Sequence, residues 1–302
     1  MARYVKISVI GAAMYERGNS SGVDAAITHL RAEIDQVLPD HPDLIVLPEF
    51  CDMCRSDSID QYRALSSERG DAIVEFLAGI ARQYGTWITC PSLRQNERGS
   101  WRNGIHLIDR QGKVAGTYDK NCLTMGELEA GIKPGTDTPV VKTDFGSVAM
   151  AICFDLNFDE LRARVAKARP DLILFCSMYH GGLMQEYWAY SCRAHFAAAV
   201  TGLPSRVISP VGQTLASTTN YFDFVTTRIN LDCSVVHLDY NAEKLRDLKR
   251  KYGPGVTILD PGLLAPVLVS SEIEGVTADD MLNEFGIQTL NIYLDRCRQK
   301  WS

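Results

Sequence analysis

A run of small and apolar residues, Ser147-Val148-Ala149-Met150-Ala151-Ile152, follows Gly146 and stops at Cys153. With no polar alternation, it reads as a strand covered on both faces, as in layered α/β proteins. That limits the whole fold, because two covering layers must come from other segments. A helix-like stretch, Phe158 to Lys167, follows a short polar turn. A thiol placed where a buried strand opens into a turn is held rigidly and faces a crevice. Two earlier strand-like segments end in the partners such a thiol needs: Asp43 to Glu49 ends in a carboxylate, Lys113 to Lys120 in an ammonium.

The remaining segments supply the layers. Tyr4 to Ala12 reads as a first strand, and Val23 to Leu38 carries apolar residues at helical spacing (Ala26, Ile27, Leu30, Ile34) before Pro39. A polar loop with Cys51 and Cys54 leads to a helix from about Gly70 to Tyr84, then a strand at Thr86 to Ser92. Gly104 to Asp109 and Lys113 to Lys120 form a hairpin turning at Arg110-Gln111-Gly112. Strands are expected at Thr138 to Lys142, Asp171 to Ser177, Arg206 to Pro210, Thr214 to Ser217 and Val225 to Asp232, with a helix over Leu183 to Val200. Beyond Asp232 the pattern changes. A charged helix (Asn241 to Lys251) and two short ones (Thr277 to Phe285, Gln288 to Arg298) give a helical appendage. We therefore divide the chain into a domain over 1–232 and an extension over 233–302 that packs on the core or on a partner subunit.

The net charge of −6 leaves no basic footprint for nucleic acid and no cationic face for a membrane. No apolar run resembles a signal peptide or a bilayer span. Nine cysteines, an odd number scattered through apolar segments, favour free thiols and a cytoplasmic location. Cys51-x-x-Cys54 has no second pair to complete a zinc site, so no metal is expected, and its place after Glu49 makes it pocket wall.

A free thiol is mostly protonated at neutral pH. An adjacent ammonium favours thiolate, and an adjacent carboxylate accepts the proton during attack. The ammonium and the backbone N–H of Phe154 can stabilise a tetrahedral oxyanion, and the carboxylate can then activate water. Acyl transfer from a C–N bond needs nothing more, so no cofactor is expected.

Leu47-Pro48-Glu49-Phe50, Tyr118-Asp119-Lys120 and Ile152-Cys153-Phe154-Asp155 resemble the three signature blocks of the carbon–nitrogen hydrolases, the nitrilase superfamily, over about residues 4 to 232. Pro134-Gly135, Thr143-Asp144-Phe145-Gly146, Trp188, Arg193-Ala194 and Pro210-Val211-Gly212 are similar to its lesser landmarks. The resemblance implies a four-layer α-β-β-α sandwich, with Glu49 as base, Lys120 as charge stabiliser and Cys153 as nucleophile. It also implies a second glutamate near the lysine. Glu127 lies seven residues after Lys120, at the expected spacing, and Glu129 competes with it. Homodimers or higher homo-oligomers, paired through the helices after the nucleophile, are the implied assembly.

Cys153-Phe154-Asp155 is similar to the amidase and carbamoylase branches, where nitrilases have Cys-Trp-Glu. The expectation is a thiol amidohydrolase that releases ammonia from a small linear amide or N-carbamoyl compound through an acyl-enzyme. A nitrilase, an acyl transferase and a non-catalytic scaffold on this fold are the alternatives. Phe154, Tyr179 and His180 are the candidate substrate contacts. Two departures leave the substrate open: Asp159 precedes Glu160 where Pro is usual, and Ala197-Ala198-Ala199 stands where an Asn is common.

Overall fold

Period-two patterning runs through the central strand. The structure, a computed structural model, describes residues 2–16, 22–237, 239–262 and 264–301. Ser147–Ile152 is buried along its whole length. Val148, Met150 and Ile152 point into one apolar cluster, Ala149 and Ala151 into another.

In chain order the first half contains β1 (Tyr4–Ile10), α1 (Val23–Asp35), β2 (Leu44–Val46), α2 (Ile59–Arg69), α3 (Ala72–Tyr84), β3 (Trp87–Gln95), β4 (Trp101–Ile108), β5 (Val114–Asp119) and α4 (Met125–Glu129). The second contains β6 (Val141–Lys142), β7 (Ser147–Ile152), α5 (Asp159–Ala168), β8 (Leu172–Ser177), α6 (Leu183–Cys192), β9 (His195–Val200), β10 (Arg206–Ile208), β11 (Thr214–Ser217) and β12 (Phe224–Asn230). One sheet has the order β12-β1-β2-β3-β4-β5 and the other β11-β10-β9-β8-β7-β6.

The sheets meet through Val5, Ile7, Val9, Leu44 and Val46 on one side and Met150, Leu172, Leu174 and Ala199 on the other. Leu30, Ile34, Ile73 and Leu77 of α1 and α3 cover the outer face of the first sheet. Leu161, Val165 and Trp188 of α5 and α6 cover the second. The result is the four-layer α-β-β-α sandwich. Each large aliphatic side chain removed from water in this way contributes roughly 1.5–3 kcal/mol.

Two segments of the sandwich differ from the sequence reading. Leu183 to Val200, expected as one helix, is a helix followed by a strand. Arg193 adopts a left-handed backbone (φ 56) that ends α6, and His195–Val200 then pairs in parallel with β8. Alanine favours helix in isolation, but here Ala197 and Ala199 lie between the sheets, where small side chains let the layers close. Residues 59–69, read as loop, form α2. Ser58 starts it, accepting from the Gln61 N–H while Gln61 Oε1 accepts from the Ser58 N–H.

The extension carries the expected helices as α7 (Ala242–Tyr252), α8 (Ala278–Glu284) and α9 (Leu290–Trp301). It also holds an antiparallel sheet, β13 (Cys233–His237), β14 (Val256–Leu259) and β15 (Pro266–Ser271), in the order β13-β15-β14. Short strands interrupted by Gly253-Pro254-Gly255 and Pro261-Gly262 carry little periodic signal, so the sequence reading passed over them. Val236, Leu248, Val256, Val267 and Met281 make a separate small core. The extension is tied to the sandwich by Asn230 Nδ2 donating to Ser271 O (2.6 Å) and the Ala278 N–H donating to Asp232 Oδ1 (3.1 Å). Among the described residues no helix is long and apolar enough to cross a membrane.

Candidate functional site

Each of the three candidate groups follows the end of a strand. Glu49 comes three residues after β2, Lys120 directly after β5 and Cys153 directly after β7. All three are nearly closed off from solvent, at 2%, 1% and 8% exposure. Lys120 Nζ lies 3.0 Å from Glu49 Oε1. The Cys153 thiol lies near enough to Glu49, Lys120 and Ser177 for each of them to shift its titration. Three side chains distant in sequence therefore meet at one point.

Glu127 completes the group. Lys120 Nζ donates to both of its oxygens, at 3.0 and 2.9 Å. Its position comes from a capping box on α4: Glu127 Oε2 accepts from the Thr124 N–H (2.8 Å), and Thr124 Oγ1 accepts from the Glu127 N–H (3.3 Å). Glu129 is exposed and stands outside this cluster. The Thr124-x-x-Glu127 pattern was present in the sequence and distinguishes the two glutamates.

The sequence reading missed Asn103. It sits within β4 at 1% exposure, and its Nδ2 donates to Glu49 Oε1 (2.7 Å) and to Glu127 Oε1 (2.8 Å). One amide thus spans both carboxylates and, with Lys120, offsets their repulsion. The main chain of the same residue accepts from the Lys120 N–H at 2.8 Å. Gly135 keeps the Lys120 loop close, since a Cβ there would come within 2.3 Å of Asp119 O.

Cys153 has φ 48, the left-handed region that a side chain with a Cβ resists. Asp155 holds the turn. Its fully buried carboxylate accepts from the Ile152 N–H (2.8 Å), the Cys122 N–H (2.8 Å) and the Tyr118 hydroxyl (2.6 Å). Burial outweighs these donors and raises its pKa to about 6.

Electrostatics place the protons. Burial first, and the Glu49 charge second, push the Cys153 thiol up to about 12 against the opposing pull of Lys120. The resting sulfur is therefore a thiol. Burial works against the Lys120 charge, but Glu49, Cys153 and Glu127 outweigh it and raise the ammonium pKa. Burial likewise opposes the Glu127 charge, and Lys120 overcomes it, lowering the carboxyl pKa.

The strap after β8 borders this cluster. The Met178 N–H donates to Glu49 Oε2 at 2.9 Å, and Ser177 Oγ accepts from the Tyr179 N–H at 2.8 Å. Tyr179 is 42% exposed. His180 is exposed too, and its Nδ1 accepts from the Gly182 N–H (3.0 Å), which leaves the proton of the neutral ring on Nε2. The Phe154 ring packs edge-on against Phe158, with centroids 5.3 Å apart. Cys51 and Cys54 are buried cysteines, in no disulfide, in the cluster beneath α1 and α3, and Cys51 lines a small cavity with Leu47 and Glu49. Among the described residues no group of three or more His, Cys, Asp or Glu side chains is arranged to hold a metal ion.

The sequence profile of the carbon-nitrogen hydrolases matches residues 6–231. The chain belongs to that family. Its members act on carbon–nitrogen bonds other than peptide bonds.

The carbon-nitrogen hydrolase chain is 28% identical over 167 residues to the deaminated glutathione amidase of Mus musculus, covering 50% of this chain and 51% of that protein. It is 31% identical over 134 residues to "Hydrolase in pqqF 5'region" of Pseudomonas protegens, covering 44% and 47%. It spans about half the length of the curated relatives it matches. Saccharomyces cerevisiae Nit3, a member of branch 10 of the nitrilase superfamily, superposes with a TM-score of 0.67 at 17% identity, covering 83% of this chain and 95% of that one. An amidase from Nesterenkonia sp. gives 0.60 at 19%, covering 80% and 95%.

Proposed function

We propose that this carbon-nitrogen hydrolase is a thiol amidohydrolase that cleaves a small linear amide or N-carbamoyl compound and releases ammonia. The observation that carries the reading is Lys120 Nζ held 3.0 Å from Glu49 Oε1, with the buried Cys153 thiol under the electrostatic influence of both groups. As the sulfur attacks the carbonyl carbon, its proton passes to Glu49. The C=O electron pair moves to oxygen, and the new oxyanion is stabilised by Lys120 and the Phe154 N–H. The tetrahedral species collapses, the C–N bond breaks, and the nitrogen leaves with the proton from Glu49. Glu49 then deprotonates water, which attacks the thioester; the thiol recovers the proton and the acid departs.

Glu127 and Asn103 act here as positioning residues for Lys120 and Glu49. Tyr179 and the Nε2–H of His180, both exposed on the strap after β8, are the contacts proposed for the acyl group. The deaminated glutathione amidase among the relatives favours an amide over a nitrile. Nine cysteines in no disulfide favour the cytoplasm.

The test is ammonia release across small amides, ureido acids and nitriles, with intact-mass detection of the acyl-enzyme. Cys153→Ala is expected to fold and to lose at least ~10³-fold in turnover. Near-native hydrolysis by that variant would remove the reading. A nitrile of the same acyl group, run in parallel, separates amidase from nitrilase, and added hydroxylamine exposes acyl transfer. Sedimentation tests the homo-oligomer that family membership implies.

A further inference from the structure

Outside the region matched by the family profile, the loop after β13, the start of α7 and the length of α9 border an open groove of about 480 Å³. That volume is in the range of sites that take a single small molecule. Three aromatic rings line it. Tyr240 is 88% exposed and Trp301 80% exposed, while Tyr293 is stacked on His237 with centroids 5.0 Å apart, which fixes it as a wall. Tyr240 also holds a left-handed backbone (φ 64). A bulky residue in that conformation is strained, and a side chain left in water returns no packing energy to offset the strain.

Three cations share the groove: Lys244, Arg296 and Lys300. Lys244 Nζ donates to Gly286 O (2.6 Å) and Arg296 Nη1 to Gln288 Oε1 (2.7 Å), and both groups keep further donors after those bonds. Among the described residues of the lining Asp239 is the one carboxylate; its N–H donates to His237 Nδ1 (3.2 Å), so its charge stays in the groove and the three cations exceed it by two. Ring faces beside a net excess of cations, within a volume suited to one ligand, match a flat heteroaromatic ring that carries phosphate.

We propose that this groove is a binding site for a nucleotide-type anion, its base stacked on Tyr240 and Trp301 and its phosphates held by Lys244, Arg296 and Lys300. The site is separate from the Cys153 cluster and does not depend on the reaction assigned there.

The probe is ATP, titrated into the full chain by calorimetry, with tryptophan fluorescence as a second readout. Trp301, 80% exposed, is the reporter: Trp87 and Trp188 are buried at 6% and 0% exposure, and the half-buried Trp101 lies outside the groove lining, under Arg63. Binding with a Kd of about 10–100 μM is expected, with quenching that Trp301→Phe removes. Tyr240→Ala and Lys300→Ala should each weaken binding about tenfold at an unchanged melting temperature. Adenosine and inorganic phosphate should each bind at least ~10-fold more weakly than ATP. The proposal is overturned if ATP does not bind at ~1 mM, or if Tyr240→Ala binds it as the parent does. It is also overturned if phosphate or adenosine alone matches ATP, or if Trp301→Ala dissociates an oligomer, making the groove a contact between copies of this chain.

Discussion

The Tyr118 hydroxyl donates to Asp155 at 2.6 Å, joining the strand that delivers Lys120 to the turn that holds Cys153. The cation and the thiol lie on different sheets, so their separation depends on links of this kind across the sandwich. Tyr118→Phe removes the donor and leaves a buried carboxylate short of a partner. A loss of about 1–3 kcal/mol in stability is expected from denaturant titration, with a fall in kcat larger than any change in KM. Unchanged kcat would show that the link does not position the site.

Asp155 also gives a pH signature. Burial raises its folded pKa to about 6 from the ordinary aspartate value of 3.8. The folded chain therefore holds this proton more tightly than the unfolded chain. The resulting stability is full below the unfolded value and is lost as pH rises through about 6. Melting temperatures of Asp155→Asn should lose the part of the pH dependence between about 4 and 6 that the parent shows. Parallel curves for the two proteins would contradict the assignment.

Asn103 Nδ2 serves two carboxylates, so Asn103→Ala leaves Glu49 and Glu127 facing each other with Lys120 alone between them. Turnover should drop by about 10²-fold, in line with the loss of supporting groups around a reactive centre. Asn103→Asp, which adds a carboxylate, should be worse than Asn103→Ala in both activity and stability. If Asn103→Asp is the more active of the two, the charge argument fails.

Glu127→Gln keeps the shape of the capping box but removes one of the charges that support Lys120. A fall in kcat of at least ~10-fold is expected, while Glu129→Gln should behave as the parent, since exposed substitutions are usually neutral. Thr124→Ala should cost about 1 kcal/mol through the lost cap and should lower activity less than Glu127→Gln. Equal losses in Glu127→Gln and Glu129→Gln would return the choice to where the sequence left it.

The thiol offers the sharpest test of the electrostatics. Its pKa is pushed up to about 12 by burial and then by the Glu49 charge, with Lys120 opposing. Iodoacetamide labelling of Cys153 should therefore keep rising well above neutral pH. In Glu49→Gln the midpoint should move down, because Lys120 then acts unopposed by that charge, while hydrolysis collapses for want of a base. A wild-type labelling curve that levels off below pH ~8, near the value of a free thiol, would contradict this.

The sequence made the reactive centre legible because its members close strands, and strand ends are marked by apolar runs that stop. Glu49, Lys120 and Cys153 all carry that mark. Asn103 does not. It lies inside β4, and its partners are 54 and 24 residues away, so no local pattern announces them. The Ala197-Ala198-Ala199 segment misled because alanine reports helix propensity, whereas its state is set by the flanking strands β8 and β10. The small sheet of the extension was hidden by the brevity of its strands.

The left-handed backbone at Cys153 has a further result. Alanine usually stabilises relative to glycine, yet here Cys153→Gly should be the more stable of the two, by about 1 kcal/mol, because only glycine is at ease at φ 48. The chain spends part of its resilience on aiming a single sulfur atom. In return, the direction of attack is fixed when the polypeptide folds, and no substrate has to wait for the reactive atom to find its bearing.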